Sequence, residues 1–207
     1  MTLLALLRHG PTRWNAAGRI QGRTDVSLSA DGVAEVRRWR LPPELAGARW
    51  QVSPLLRAVE TARLLGAIEP EFVPALAEMR WGEWEGRLLS EIRAADPEGV
   101  ADIEARGLDF APPGGESPRL VQARLRPWLE SVAQRRTTTI AVTHKGVIRA
   151  LYAEASGWPM LGRPPDKLDW SCLHLFRLAP DGRPSLERMN VMLRVTDDGA
   201  PCPPRLF

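Results

Sequence analysis

Residues 3–10 read Leu-Leu-Ala-Leu-Leu-Arg-His-Gly, an apolar run that stops abruptly at two basic side chains and a glycine. A short apolar run of this kind suits a strand buried on both faces, although leucine alone suits a helix equally well. Two later segments repeat the arrangement. Residues 49–53, Arg-Trp-Gln-Val-Ser, read as a strand after which Ser53 is placed to cap a helix with Pro54 at its first position. In that helix Leu55, Ala58, Val59, Ala62 and Leu65 recur at helical spacing and Gly66 ends it. Residues 137–143, Thr-Thr-Thr-Ile-Ala-Val-Thr, are strongly β-prone and run into His144-Lys145-Gly146, and Val147 to Ala155 then read as a helix.

The same periodicities place helices at 30–39, 88–95 and 117–135 and strands at 171–177 and 186–195. Residues 107–116 form a loop before Ser117 opens the long helix. Strands alternating with helices imply an α/β fold, three layers deep, with a mostly parallel central sheet. The last two strands admit an antiparallel pairing. Residues 1–196 read as one domain with 87–113 as a small lid insertion, and the Pro-rich segment 197–207 reads as a tail that wraps the surface or stays disordered.

Composition narrows the function. The chain has 207 residues with 44% hydrophobic and 26% charged content, ordinary for a soluble globular protein. It has no apolar run long enough to span a membrane and no basic leader before the apolar start, so it reads as cytoplasmic. Cys172 and Cys202 show neither metal-ligand spacing nor a disulfide framework. Lys145 and Lys167 are the only lysines among 28 basic residues. Genome composition explains such arginine use, but arginine forks also match phosphate oxygens. The arginines are scattered among acids, which disfavours a nucleic-acid partner. The sequence leaves oligomeric state open, a homodimer included.

Three strand-to-helix junctions carry the chemistry: Arg8-His9-Gly10, Arg57 in the first turn of its helix, and His144. In open α/β sheets ligands sit beyond the carboxyl ends of the strands, so all three junctions can face one crevice. Two arginines, two histidines and a helix N-terminus make a phosphate site. Singly, each residue has a duller explanation in a turn, a packed histidine or a solvated helix position. Three together at strand ends do not.

At these residues a family resemblance becomes visible. Residues 8–22, Arg-His-Gly-Pro-Thr-Arg-Trp-Asn-Ala-Ala-Gly-Arg-Ile-Gln-Gly, resemble the signature of the histidine phosphatase superfamily, which includes phosphoglycerate mutase and many small phosphatases. The likeness continues through Asp25, Leu28 and Gly32, through 53–62, 78–86 and 115–117, to Thr143-His144-Lys-Gly146-Val. It implies a phosphoglycerate mutase-like fold with His9 as the nucleophile that takes the phosphoryl group. Arg8, Arg57 and His144 would hold its oxygens, Asn15 would be a further phosphate contact, and Glu78 the proton donor. No cofactor or metal ion is implied, and the partner is a small phosphorylated metabolite. Chemistry alone leaves Glu83, Glu85 and Glu116 open as proton donors, and only position within the resembling block favours Glu78. His174, alternating with Leu173 and Leu175, reads as a strand-face residue rather than a catalyst. Trp14, Trp81 and Trp84 read either as pocket rim or as core packing.

Three functions fit: a phosphomonoester hydrolase, a phosphoglycerate mutase working through the same phosphohistidine, and a non-catalytic phospho-ligand binder. The full set of His9, Arg8, Arg57, Glu78 and His144 disfavours the last. The short segment 87–113 and the Arg-His-Gly-Pro-Thr form of the nucleophile block resemble the small phosphatases more than the mutases.

Overall fold

The computed structural model describes residues 1–195, with backbone alone for Arg194 and Val195. The expectation for a tail at 197–207, and Cys202 with it, lies outside the described residues. In chain order the elements are β1 (Thr2–Arg8), α1 (Arg13–Ala16), α2 (Ala30–Arg38), β2 (Trp39–Arg40), β3 (Arg49–Val52), α3 (Leu56–Leu64) and β4 (Glu71–Phe72). Next come α4 (Leu89–Ala95), α5 (Pro97–Glu104), α6 (Pro118–Arg135), β5 (Thr139–Thr143), α7 (Lys145–Ser156), β6 (Leu173–Leu178), β7 (Pro184–Val191) and β8 (Arg194–Val195). The main sheet has the order β4-β3-β5-β1-β6-β7, and β2 pairs with β8 in a separate ribbon. β4, β3, β5 and β1 run parallel, while β6 and β7 are antiparallel additions at the other edge.

Alternation along the strands sets the layers, because successive strand side chains point to opposite faces. Leu4 and Leu6 of β1 pack with Val121, Leu125 and Leu129 of α6 and with Ile148 and Leu151 of α7. Ala5 and Leu7 turn the other way, toward Val36 of α2 and Leu65. β5 divides in the same manner, with Ala141 on the α6/α7 side and Ile140 and Val142 on the other. β1 is central, so both of its faces are covered and the run reads as continuously apolar.

Several boundaries differ from the sequence reading, each for a visible reason. α3 begins at Leu56, and its N-cap position is Leu55, which caps with no side chain. Ser53 lies two residues before the N-cap position, where its hydroxyl meets His144 at 2.7 Å and accepts the Leu55 N–H at 3.3 Å; Asp25 reaches across to accept the Leu56 N–H at 2.7 Å. α7 starts at Lys145, directly after the strand end, rather than at Val147. α5 was not expected, although Asp96 caps it by accepting the Gly99 N–H and Pro97 occupies its first turn. The expected strand 186–195 is two pieces, β7 and β8, with Asn190 at a positive φ of 55° near the end of the first. β6 starts at Leu173, because Ser171 is drawn into a turn on the Asp169 carboxylate.

One buried polar chain ties the sheet edge to the α6 side. Trp128 of α6 donates its indole N–H to Gln51 Oε1 at 2.8 Å, and Gln51 Nε2 donates to Glu71 Oε2 at 3.0 Å. Gln51 is 2% exposed, so loss of its donor leaves a buried acceptor unpaired. Trp128→Phe is expected to lower unfolding stability by about 1–3 kcal/mol, measured as a shift in the urea midpoint at unchanged slope.

Candidate active site

The parallel alignment of β1, β3 and β5 brings their carboxyl ends to one edge. Arg8 is in register with Thr143, and Val52 with Val142. Backbone bonds carry the ladder one residue further, from His9 N–H to Thr143 C=O at 3.0 Å and from Ser53 N–H to Val142 C=O at 3.0 Å. His9 and His144 therefore emerge side by side, with ring centroids 5.2 Å apart. A cavity of about 690 Å³ opens here, lined by Arg8, His9, Asn15, Arg57 and Glu78. His144 is not on its wall; it lies fully buried behind His9.

The His9 ring has a defined tautomer. Its Nδ1 sits 2.7 Å from the Gly10 carbonyl oxygen, which only accepts, so Nδ1 carries the proton and Nε2 keeps the lone pair. Burial first, and then the Arg8 and Arg57 guanidinium groups, hold the imidazole well below the usual histidine range, so it is neutral at neutral pH. The turn beneath it is fixed. Gly10 N–H donates to Thr61 Oγ1 at 2.9 Å, and Thr61 donates in turn to the Arg57 carbonyl at 2.7 Å. A side chain at residue 10 is excluded, because its Cβ would fall 2.3 Å from Val36 Cγ2. His144 is held by Ser53 Oγ, and burial followed by the charges of Arg57, His9 and Arg8 keeps its ring well below the usual range too.

Arg57 is fully buried yet touches the cavity. Its Nη2 donates to the Gly22 carbonyl at 2.7 Å and its Nη1 to the Thr24 carbonyl at 3.0 Å. Glu85 grips the same loop. It accepts from the Arg23 and Thr24 N–H groups, each at 3.0 Å, from the Thr24 hydroxyl at 2.7 Å and from the Trp81 N–H at 3.1 Å. Burial pushes this carboxyl up, but those donors prevail and hold it below the usual range. Gly22 has a φ of 53°, and a Cβ there would lie 2.0 Å from Glu85 Oε1. Sequence reasoning weighed Glu85 only as an alternative proton donor. The signal available was its place between Gly82 and Gly86, which does not reveal a partner 62 residues away.

Glu78 is 7% exposed on the cavity wall. Its Oε1 accepts the Met79 N–H at 2.8 Å and the Gly146 N–H at 3.1 Å. Burial raises its pKa, against those two N–H donors and the Arg57 and Arg8 charges, so it holds a proton better than an ordinary glutamate. The other acids have different roles. Glu83 is exposed and off the cavity wall. Glu116 pairs with Arg124 at 2.8 Å and with Arg23 at 3.5 Å. Asn15 lines the cavity while its Oδ1 accepts from the Thr12 N–H at 3.0 Å and the Thr12 hydroxyl at 3.1 Å, which orients the amide. Trp81 and Phe110 line the wall; Trp84 is buried beneath them, 5.8 Å from Phe110. His174 is fully buried in β6 away from the cavity, its pKa lowered to about 4 chiefly by burial. Among the described residues no group of three or more His, Cys, Asp or Glu is placed to hold a metal ion.

This geometry has known counterparts. The family model described as the histidine phosphatase superfamily (branch 1) matches residues 4–192. A 2,3-bisphosphoglycerate-dependent phosphoglycerate mutase of Xanthobacter autotrophicus is 31% identical over 192 residues, covering 86% of this chain and 93% of its own. A metal-independent phosphoserine phosphatase of Arabidopsis thaliana is 35% identical over 161 residues, covering 73% and 68%. The solved structure of a mycobacterial glucosyl-3-phosphoglycerate phosphatase in complex with VO3 superposes with a TM-score of 0.74 at 27% identity, covering 92% of this chain and all of that one.

Gly146 supplies a test of how Glu78 is placed. A Cβ at residue 146 would lie 2.4 Å from Glu78 Oε1, so Gly146→Ala displaces the carboxylate without touching its chemistry. The variant is expected to lose about tenfold or more in kcat on alkyl phosphates, with its melting temperature close to that of the parent. Unchanged kcat would mean that the position of Glu78 does not matter.

Proposed function

The chain belongs to the histidine phosphatase superfamily, and from that premise we propose that it is a phosphomonoesterase acting on a small phosphorylated metabolite through a phosphohistidine at His9, with no metal ion. The observation that carries the reading is the His9 ring. It is neutral, with Nδ1–H committed to the Gly10 carbonyl and Nε2 left as a nucleophile within the electrostatic influence of Arg8 and Arg57.

In the first step Nε2 of His9 attacks phosphorus and the ester P–O bond breaks. The departing alkoxide takes its proton from Glu78, and Nδ1–H remains on Gly10. Arg8 and Arg57 stabilise the charge on the equatorial oxygens, a task given to magnesium in many phosphoryl-transfer sites. His144 stands behind His9 with its ring set by Ser53 and its Nδ1 without a partner among the described residues. In the second step water attacks phosphorus, gives its proton to Glu78, and the P–N bond breaks to return neutral His9 and inorganic phosphate.

A mutase uses the same first step, and the Xanthobacter relative is named as one. Hydrolysis is favoured here by cover. A mutase has to keep water from its phosphohistidine, whereas the segment over this cavity amounts to α4, α5 and a short turn at Gly107–Asp109. Supplied with 3-phosphoglycerate and catalytic 2,3-bisphosphoglycerate, the protein is expected to release phosphate faster than it forms 2-phosphoglycerate. Rapid interconversion with negligible phosphate release overturns the assignment.

Two further outcomes follow from the mechanism. A denaturing quench during turnover of labelled substrate is expected to trap protein-bound label that is labile in acid and durable in base, and to trap none in His9→Ala; full activity of His9→Ala sinks the mechanism. Glu78→Gln should slow alkyl phosphates about 100-fold or more while slowing nitrophenyl phosphate far less, because nitrophenolate leaves without a proton. In the parent, His9 must be neutral and Glu78 protonated. The histidine pKa is lowered and the carboxyl pKa raised, so kcat/KM on alkyl phosphates should decline on the alkaline side as Glu78 loses its proton. Glu78→Gln should remove that limb from the pH profile.

A further inference from the structure

Beyond the phosphate end, the cavity carries positive charge that the chemistry at His9 does not use. Lys145 and Arg149 both line it from the first half of α7. They are four residues apart, which puts them on one helix face about 6 Å apart along the axis. Like charges at that spacing disfavour a helix unless something else gains from them. Among the described residues neither cation forms an ion pair with a carboxylate. Each rests on an aromatic ring instead: Lys145 Nζ lies 5.1 Å from the Trp170 ring centre, and the Arg149 guanidinium 5.3 Å from that of Trp158. A ring face orients a cation without neutralising it. The strain of this arrangement shows in Lys145, whose ammonium burial, Arg149 and Arg8 all pull down, with Glu78 alone opposing.

The other charges along the wall are already engaged. Arg93 pairs with Glu104 at 2.6 Å, and Arg19 donates to the Gly86 carbonyl at 2.6 Å. Glu78 is held by the backbone of Met79 and Gly146. Lys145 and Arg149 are thus a matched, oriented and uncompensated cation pair in the same cavity as the nucleophile.

We propose that Lys145 and Arg149 form a second anion subsite, and that the preferred substrate is a phosphomonoester bearing a second negatively charged group, a carboxylate or a further phosphate. The proposal rests on the phosphatase reading and gives it a substrate class. With phosphate at His9, the second anion bridges the two side chains, one of which follows His144 directly in sequence. Substrate choice is then set by the face of α7 rather than by the catalytic residues.

Phosphoglycolate and 2-hydroxyethyl phosphate differ only in the carboxylate, and propanediol bisphosphate and its monophosphate differ only in the second phosphate. The protein is expected to favour the charged member of at least one pair by about tenfold or more in kcat/KM, the weight of a charge-assisted hydrogen bond. Comparison of the two pairs identifies which anion is read. In the double variant Lys145→Met, Arg149→Met that ratio should collapse toward one, through KM more than kcat, and Lys145→Arg should retain it. Ratios are taken within one protein, so partial loss of folded material does not alter them. If neither ester of a pair is turned over, the phosphatase reading fails; dissociation constants of the same pairs for His9→Ala then decide the subsite separately. Equal values within both pairs, or a ratio that survives the double variant, overturn the proposal.

Discussion

A guanidinium with no exposure is costly to bury unless groups around it accept its hydrogens. Arg57 organises the chain around it through its two Nη atoms, while its Nε is left without a partner among the described residues. Its two Nη atoms draw in the carbonyls of Gly22 and Thr24, Asp25 then reaches the start of α3, and Glu85 clasps the loop from the other side. The segment that follows the nucleophile is thereby bound to the helix that follows β3. Coulombic support from Glu78, Asp25 and Glu85 offsets part of the burial that lowers the Arg57 pKa.

That constraint also adds to what keeps the neighbouring histidines neutral. Burial first, and then the repulsion of Arg8 and Arg57, makes His9 and His144 lose their protons well before an ordinary histidine would. The same two cations pull the Glu78 pKa down as well, yet burial, which disfavours its charged form, outweighs them and leaves its pKa raised. A neutral imidazole and a carboxyl that holds its proton more firmly than usual thus coexist at the end of one sheet. Both are buried to nearly the same degree, so what separates them is the backbone group each side chain meets: a carbonyl for His9, and N–H donors for Glu78.

Much of this was legible in the sequence. The apolar run at 3–7, the β-branched run at 137–143 and the helical spacing after residue 53 identified β1, β5 and α3, since each pattern follows from burial on a fixed period. The basic residues just after those runs marked the sheet edge at which the cavity lies. Boundaries failed where a side chain had two options. Ser53 is a good cap by type, but the helix starts two residues beyond its reach, its hydroxyl serves His144 and the Leu55 N–H, and Asp25 accepts the Leu56 N–H from 31 residues away. α5 was missed because its short apolar pattern is weak, with only Val100 buried, although Asp96-Pro97 announced its start.

By itself the sequence determined the main strands and helices around the site, the parallel core of the sheet and the residue types at its carboxyl edge, because these depend on local periodicity and chain direction. Tertiary structure alone decided which nitrogen of His9 carries the proton, which of four glutamates faces the cavity, that His144 stands behind His9 rather than on the wall, and that Lys145 and Arg149 share the cavity unpaired. Each depends on a contact between segments distant in the chain, such as Glu78 with Gly146 across 68 residues, or on the path of a neighbouring carbonyl. A one-dimensional pattern records a residue's type and period, but the partner that tunes its charge is fixed only when the chain is packed.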